Sequence, residues 1–352
     1  MSKRTSQGLA GKGKPFIGWR AEGEQRRLVL ENDRFRVEVW PEFGGAIMSY
    51  VHKPDALDVI WHNPAVQPPR REPLSQPQGA GTDLYDVMDG SWYVSLPNGF
   101  FPGDYFGAPL GTHGELRSVP WVVEEIHSGG TEARVVLVGH SVRTPLIYRR
   151  ELCLRPGASR LKWRETLHNR CGMPLPVAWL HHAAFGGPLL QGARLVVPAR
   201  TVRVYKADDP SALQLKSGYV GRWPHVPERV GGRRRDCSVA PAAASGMDHS
   251  VQIADFKAGW GCLWNEKRKL GFSMEWDLAV FPCAWSWAYG GGSISYPMWG
   301  EGNLMTFQPS TSPAERFPEL LKKKAVLTIP AHGSVTTEMT TGFVDIPEGP
   351  WT

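Results

Sequence analysis

The 352-residue chain contains few cysteines and no long apolar run. Its five cysteines are odd in number and scattered, and no two of them have metal-ligand spacing. We therefore expect free thiols in a reducing cytoplasm. No apolar stretch is long enough to cross a membrane, and Lys3 and Arg4 are not followed by the apolar segment of a signal peptide. We predict a cytoplasmic protein with no membrane partner.

Sustained helical periodicity is also scarce, and only residues 318–325 have the pattern of a short helix. Strand-length apolar segments separated by turn residues dominate instead. Phe35, Val37 and Val39 alternate with charged residues, which is typical of a strand with one buried face. Further strands are predicted at residues 121–126, 133–139, 146–154, 160–167 and 176–181. The pattern predicts an all-β sandwich or barrel.

The sequence predicts one strand-rich domain at residues 25–345, preceded by a flexible arm at 1–24 and followed by a tail at 346–352. Residues 206–246 are irregular, and we predict an exposed insertion there because similar strands resume after it. Residues 64–112 form a long segment without periodicity. Loops of that length in a compact domain usually serve a site or cover a surface.

The charge of the chain selects no particular partner. Forty basic and 34 acidic residues give a net charge of +6, and the excess lies in short runs that are typical of solvated loops. No nucleic-acid motif accompanies them, so we expect no nucleic-acid partner. Tryptophan is unusually frequent, with 15 copies, and indole rings on a concave face suit a sugar. The sequence does not determine the oligomeric state.

Candidate functional side chains concentrate in the segments 112–117, 179–188 and 305–310. In the second segment, apolar residues flank His181 and His182, which predicts a buried strand that delivers an imidazole to a cleft. Successive strand residues point to opposite faces, so His181 should face away from the cleft if His182 faces it. His113 is followed by Gly114, which lets the backbone approach a ligand closely.

The order of several motifs resembles the galactose mutarotase-like (aldose 1-epimerase) superfamily over roughly residues 26–343. The matching segments are 30–37, 41–45, 92–99, the His-Gly motif at 113–117 with Pro120 and Trp121, the His-x-x-Phe motif at 182–185, 296–299 and 308–312. The resemblance implies a large antiparallel β-sandwich that binds sugar on a concave face. It also implies acid/base interconversion of sugar anomers through the open-chain aldehyde.

The resemblance also implies roles for individual residues. His113 would orient the sugar, and His182 would be the acid that protonates the ring oxygen. The family usually has a glutamate base just before the Pro-Ser pair, where this chain has Gln308, and an amide cannot accept a proton at neutral pH. Glu301, Glu115 and Asp277 are the substitutes for that base.

The site prediction therefore has two parts. The catalytic candidates are His182, His113 and Glu301. The substrate-binding candidates are Gln308, Glu115, Arg117, Trp92, Asp277 and Trp299. We expect no cofactor, although His113, Glu115 and His182 have the ligand chemistry of a divalent metal site without any standard spacing.

We therefore predict a carbohydrate-active enzyme that resembles aldose 1-epimerase and acts on a monosaccharide or sugar derivative at or near the anomeric carbon. Two alternatives stay open. One is a metal-assisted isomerase or lyase of a modified or oxidised sugar on the same fold. The other is a non-catalytic sugar-binding protein that kept the cleft and lost the base.

Overall fold

The computed structural model of the chain describes residues 14–22, 25–64, 90–209, 211, 213–313 and 315–349. The predictions for residues 1–13, for the 65–89 part of the long loop and for the tail beyond residue 349 lie outside the described residues.

Strands make up most of the described chain. In chain order they are β1 (Phe16–Glu22), β2 (Gln25–Glu31), β3 (Phe35–Trp40), β4 (Ala46–His52), β5 (Leu57–Asp58), β6 (Trp92–Ser95), β7 (Gly103–Tyr105), β8 (Ala108–Leu110), β9 (Trp121–Ser128), β10 (Ala133–His140), β11 (Leu146–Leu154), β12 (Arg160–Asn169), β13 (Leu175–Val177) and β14 (Leu180–Phe185). They continue as β15 (Arg194–Val196), β16 (Ala199–Arg203), β17 (Val220–Arg222), β18 (His225–Pro227), β19 (Arg234–Asp236), β20 (Met247–Phe256), β21 (Trp260–Asn265), β22 (Leu270–Trp276), β23 (Cys283–Gly290), β24 (Leu304–Ser310), β25 (Leu327–Ile329) and β26 (Ser334–Val344).

Helices are short. The described residues contain a single-turn 3-10 helix (Leu116–Ser118), α1 (Gly187–Leu190) and α2 (Phe317–Lys322). Helix α2 overlaps the helix predicted at residues 318–325. None of these helices has the length and apolar character that a membrane crossing would need.

Two large antiparallel sheets contain most of the described strands. The first has twelve strands in the order β1-β2-β3-β4-β6-β14-β24-β23-β20-β16-β17, with β5 beside β4. The second has eight, in the order β15-β21-β22-β26-β12-β11-β10-β9. The predicted strands at 133–139, 146–154 and 160–167 correspond closely to β10, β11 and β12. These sheets confirm the all-β sandwich prediction.

The main core lies between the two sheets. Strand β11 illustrates how a strand contributes to this core. Buried and partly exposed residues alternate strictly along it, so one of its faces packs against the other sheet. Inward-facing aromatic rings then pack across the interface: Trp92 of the first sheet stacks on Trp163 of the second at 4.8 Å between ring centroids. This packing buries the apolar faces of both sheets in one continuous cluster.

A buried ionic network also joins the sheets. Glu165 on β12 accepts a hydrogen bond from Arg150 Nε at 2.8 Å, and its other carboxylate oxygen lies 2.8 Å from His181 Nε2 on β14. All three side chains are almost fully excluded from solvent. The network ties β14 to the second sheet at the residue next to His182.

The structure corrects two boundary predictions. Residues 16–22, predicted as part of a flexible arm, form strand β1, which pairs with β2 along its full length. The segment 206–246, predicted as irregular, contains the short strands β17, β18 and β19. A small apolar cluster that includes Leu215, Val226 and Cys237 fixes this segment against β16 and β20.

Candidate functional site

His182 sits at the centre of the candidate site, on β14. Tyr93 lies opposite it on the adjacent strand β6. The Tyr93 ring stacks on the imidazole, with 4.6 Å between ring centroids and 6° between ring planes. Strand alternation turns His181 to the opposite face, where it joins Glu165 in the core. The predicted opposite orientation of the two histidines is therefore confirmed.

His113 lies beside His182, with ring centroids 4.8 Å apart at 74°. The loop reaches this position through two left-handed residues, His113 at φ 66° and Gly114 at φ 72°. A Cβ on Gly114 would lie 1.9 Å from the carbonyl oxygen of Leu96, so only glycine fits. We predicted that Gly114 lets the backbone approach a ligand closely, but in the structure Gly114 approaches the backbone of Leu96 instead. Phe100 then covers His113, with ring centroids 5.0 Å apart.

Burial keeps both imidazoles neutral. Desolvation, followed by the proximity of His182 and of Arg117, holds the pKa of His113 well below 6.5. Desolvation also lowers the pKa of His182 to about 3, and the positive charge of Arg117 contributes to that lowering. Neither histidine is therefore an imidazolium at neutral pH in the free protein.

Arg117 is the source of the positive charge near His113 and His182. Its side chain is fully buried, its Nη2 donates a 2.6 Å hydrogen bond to the carbonyl oxygen of Thr112, and its guanidinium lies 6.0 Å from the Tyr93 ring centroid. The sequence prediction placed Arg117 on the substrate. In the structure its guanidinium lies over the Tyr93 ring, close enough to both imidazoles to lower their pKa values.

A cleft of about 260 Å³ opens over His182. Its lining residues are Phe100, Phe101, His182, Tyr205, Asp248, Ser250, Trp285, Trp287, Ser293, Tyr296, Pro297, Met298 and Gln308. Aromatic rings with a few polar groups among them form the type of surface that binds sugars. His182 is 7% exposed, whereas His113 is fully covered, so only His182 of the pair reaches the cleft.

Gln308 lies next to His182 across the strand pair. Leu180 pairs with Ser310 and Ala183 with Phe307, and this register places Gln308 opposite His182. The Gln308 Nε2 donates a 2.6 Å hydrogen bond to Thr306 Oγ1. An amide thus stands beside the imidazole, and it can hold a hydroxyl group but cannot titrate.

Asp248 is a cleft residue that the sequence analysis missed. It lies on β20, its Oδ1 accepts a 2.8 Å hydrogen bond from Trp287 Nε1, and burial raises the pKa of its carboxyl group. Asp248, Ser250 and Gln252 are polar residues at every second position of this strand. That pattern was the sequence signal that could have identified a polar face here. β20 and β14 are three strand spacings apart, about 14 Å at the backbone, so Asp248 occupies the far wall from His182.

The structure does not bring the other predicted residues onto the cleft floor. Trp92 is fully buried in the inter-sheet core, because the pairing of its neighbour Tyr93 with His182 turns Trp92 inward. Asp277 is exposed and caps a turn through the backbone N–H of Ala279 at 2.8 Å. Glu301 is exposed and does not line the cleft. Trp299 is exposed at the rim, 6.3 Å from the ring of Tyr296.

The Glu115 carboxylate accepts hydrogen bonds from the loop at residues 142–144. It accepts hydrogen bonds from the backbone N–H groups of Val142 and Arg143 at 3.0 and 2.8 Å, and from Thr144 Oγ1 at 2.7 Å. This engagement corrects the prediction that Glu115 contacts substrate. These hydrogen bonds also occupy both carboxylate oxygens, which a metal set with His113 and His182 would need. Among the described residues, no group of three or more His, Cys, Asp or Glu side chains is arranged to hold a metal ion.

Comparison with known proteins identifies the fold. No protein-family model and no curated protein matches the chain. A solved structure of a candidate aldose 1-epimerase from Klebsiella pneumoniae aligns with a TM-score of 0.67 and 16% identity over 93% of this chain and 83% of that one. A galactose mutarotase-like protein from Clostridium acetobutylicum aligns with a TM-score of 0.63 and 12% identity over 95% and 99% of the two chains. The chain has the galactose mutarotase-like fold.

This galactose mutarotase-like sandwich places the cleft on the first sheet. His182, Gln308, Trp285 and Asp248 come from β14, β24, β23 and β20, four strands that are adjacent in that sheet. Residues far apart in sequence therefore meet because sheet order, not chain order, makes them neighbours.

We expect Glu115→Gln to destabilise the protein by about 1–2 kcal/mol, because the hydrogen bonds from Val142, Arg143 and Thr144 lose the negative charge of their acceptor. Urea unfolding would measure the change. Glu124→Gln is the matched control, because Glu124 is exposed on β9. Equal stability of the two variants would contradict the anchoring role of Glu115.

Proposed function

We propose that the chain is a carbohydrate-active isomerase that exchanges the anomers of a sugar, with His182 as the proton-transferring group. The observation that carries this proposal is the position of His182: it is fixed between Tyr93 and His113 and reaches an aromatic-lined cleft. A fold shared with structures named for mutarotases and aldose 1-epimerases supports the same function.

In this proposal His182 works as a proton acceptor. A pKa of about 3 leaves its imidazole neutral, so a ring nitrogen can accept the proton of the anomeric hydroxyl group, but it also makes the imidazole a weak base whose effect depends on its fixed position in the cleft. The C–O bond to the ring oxygen then breaks as the anomeric carbonyl forms, and the ring oxygen takes a proton from water, which is left as hydroxide until the reverse steps return that proton to it and the proton on His182 to the anomeric oxygen. Rotation about the bond to the carbonyl carbon and the reverse steps give the other anomer. The role differs from the acid role that the family resemblance implied.

Other side chains in the cleft hold the sugar in this proposal. Stacking against Tyr93 and contact with His113 fix the ring of His182, so that little reorganisation is needed when the proton moves. Gln308 binds a hydroxyl group beside His182, and Asp248 binds hydroxyl groups at the far wall. Trp285 and Trp287 provide apolar ring faces for the C–H side of the sugar.

The test is anomer exchange measured by NMR on a panel of aldoses, with purified protein before and after treatment with EDTA. We expect faster exchange of at least one aldose than in buffer alone, and the same rate after EDTA. A wild-type protein that accelerates no aldose would overturn the proposal. A rate lost with EDTA and restored by a divalent metal would instead support metal-assisted chemistry.

Gln308 favours a second candidate function, non-catalytic sugar binding, because it leaves an amide where the resemblance places a carboxylate base. The variant Gln308→Glu separates the two functions in the same assay. If the wild type is inactive and binds sugar while Gln308→Glu exchanges anomers, the chain is a binding protein. If the wild type is active and Gln308→Glu adds less than a few-fold, His182 suffices without that carboxylate.

A further inference from the structure

A continuous row of side chains crosses the cleft face of the first sheet. Strand register places His182 opposite Tyr93, Trp285 opposite Gln308, Gln252 opposite Trp285, and Arg203 opposite Gln252. Gln308 in turn lies opposite His182, as described above. Directly opposed residues of antiparallel strands share one face, so all six point to the same side.

This row is much longer than one sugar ring. Arg203 lies four strand spacings from His182, about 19 Å at the backbone. Of the residues in this row, His182, Gln308 and Trp285 line the cleft over His182, whereas Gln252 and Arg203 do not. Those two residues line a different cavity.

That second cavity, of about 850 Å³, adjoins the first. Its lining includes Gln252 and Arg203 from the row, and Phe101 and Tyr205 line both cavities. The Arg316 guanidinium lies over the face of the Phe101 ring, 5.9 Å from the ring centroid. The two aromatic side chains therefore mark the junction of one extended groove.

The charge of the second cavity is balanced. Its lining contains four basic residues, Arg203, Lys206, Arg316 and Lys323, and four acidic residues, Asp208, Asp209, Glu315 and Glu319. Two of the four possible pairs are formed directly, Arg316 with Asp208 at 3.4 Å and Lys323 with Glu315 at 2.6 Å. A balanced wall gives a phosphate or carboxylate little net attraction, and it suits a neutral ligand rich in hydroxyl groups.

We propose that the second cavity is a further sugar subsite, and that the groove binds a neutral oligosaccharide whose reducing end lies at His182. Arg203 and Gln252 present hydrogen-bond donors to the hydroxyl groups of the distal rings, and Tyr205 and Phe101 contact the sugar between the two subsites. The placement of the reducing end rests on the proposed function, whereas the distal subsite does not.

The test compares glucose with its trimers maltotriose and cellotriose, by titration calorimetry and saturation-transfer NMR. We expect at least one trimer to bind about tenfold more tightly than glucose, the equivalent of one net hydrogen bond to a charged group. The double variant Arg203→Met/Gln252→Met should lose that advantage and keep the glucose affinity, because both residues line the second cavity and not the cleft over His182. Arg164→Met, at an exposed arginine on β12 of the other sheet, is the matched control.

Equal affinities of glucose and both trimers for the wild type would overturn the subsite. So would a double variant that lowers the affinity for glucose and trimer equally, or a preference for glucose 6-phosphate or glucuronic acid over the trimers. Trimer preference without anomer exchange would retain the subsite and reject the isomerase proposal. The two inferences can therefore fail separately.

Discussion

Replacing His182 with asparagine is expected to lower the rate of anomer exchange by about 10²-fold, the low end of the usual contribution of one positioned acid or base, because an imidazole with a pKa of about 3 is a weak base at neutral pH. Asparagine retains a polar side chain on β14 but cannot accept a proton from a hydroxyl group. Anomer exchange measured by NMR, with the uncatalysed rate subtracted, gives the change directly. The affinity for sugar should fall much less than the rate, because Gln308, Asp248 and the aromatic rings remain in the cleft.

The dependence of the rate on pH distinguishes the two roles that His182 could have. As a proton acceptor with a pKa of about 3, it is active in its neutral form, so the rate should be level between about pH 5 and 8 and fall only as the pH approaches 3. As an imidazolium acid, it would instead lose activity as the pH rises above its pKa.

His140→Asn is the matched control for His182→Asn, because His140 is exposed on β10 of the second sheet. The control should leave the rate unchanged and unfold at the same temperature as the wild type. If His182→Asn keeps most of the wild-type rate, proton transfer belongs to another group and the assignment to His182 is wrong.

Much of the fold could be predicted because local patterns already encode it. Strand β11 has its predicted limits, 146–154, because turn residues follow it at 155–157, whereas its inward face includes the buried Arg150 and was not evident from the sequence. The opposite orientation of His181 and His182 followed from the same rule of alternation. Strand β1 was missed because the Gly- and Lys-rich segment before it resembles a flexible arm, and its partner β2 is what makes residues 16–22 a strand.

The site was harder to predict because its members meet through sheet order. The sequence cannot show that β14, β24, β23 and β20 lie side by side, so Asp248, which belongs to no motif, could not be connected with His182. Trp92 was assigned to the wrong face because an aromatic strand residue suits either side. Only the pairing of Tyr93 with His182 settles it. Glu115 was misassigned because its partners lie 27 to 29 residues further along the chain.

The largest expected effect on stability concerns Glu165, which lies between Arg150 and His181. Replacing it with leucine should cost about 3–5 kcal/mol, because the guanidinium of Arg150 would stay buried without its carboxylate. Urea or guanidinium unfolding at neutral pH would measure the loss. Because His181 precedes His182, the damage should also appear as a lower rate of anomer exchange.

Two comparisons make this prediction specific. Glu151→Gln on β11 removes a partly exposed carboxylate from a surface ion pair and should cost at most about 1 kcal/mol. The double variant Arg150→Met/Glu165→Leu should recover much of the lost stability, since apolar side chains of similar size often replace a buried ion pair without penalty. A single variant that costs no more than Glu151→Gln would contradict the proposed importance of the network.

Acid sensitivity gives an independent measure of the same carboxylate. Burial opposes its ionisation, but His181 and Arg150 outweigh that effect and lower the pKa of Glu165 from 4.5 to about 2. A carboxylate whose pKa is lower in the folded state contributes its full stability above about pH 4.5, and that contribution is lost as the pH falls towards 2. The wild type should therefore lose more stability across this interval than the double variant Arg150→Met/Glu165→Leu, which has no carboxylate to protonate. Equal losses in the two proteins would show that the Glu165 carboxylate is not held ionised by the network that ties β14 to the second sheet.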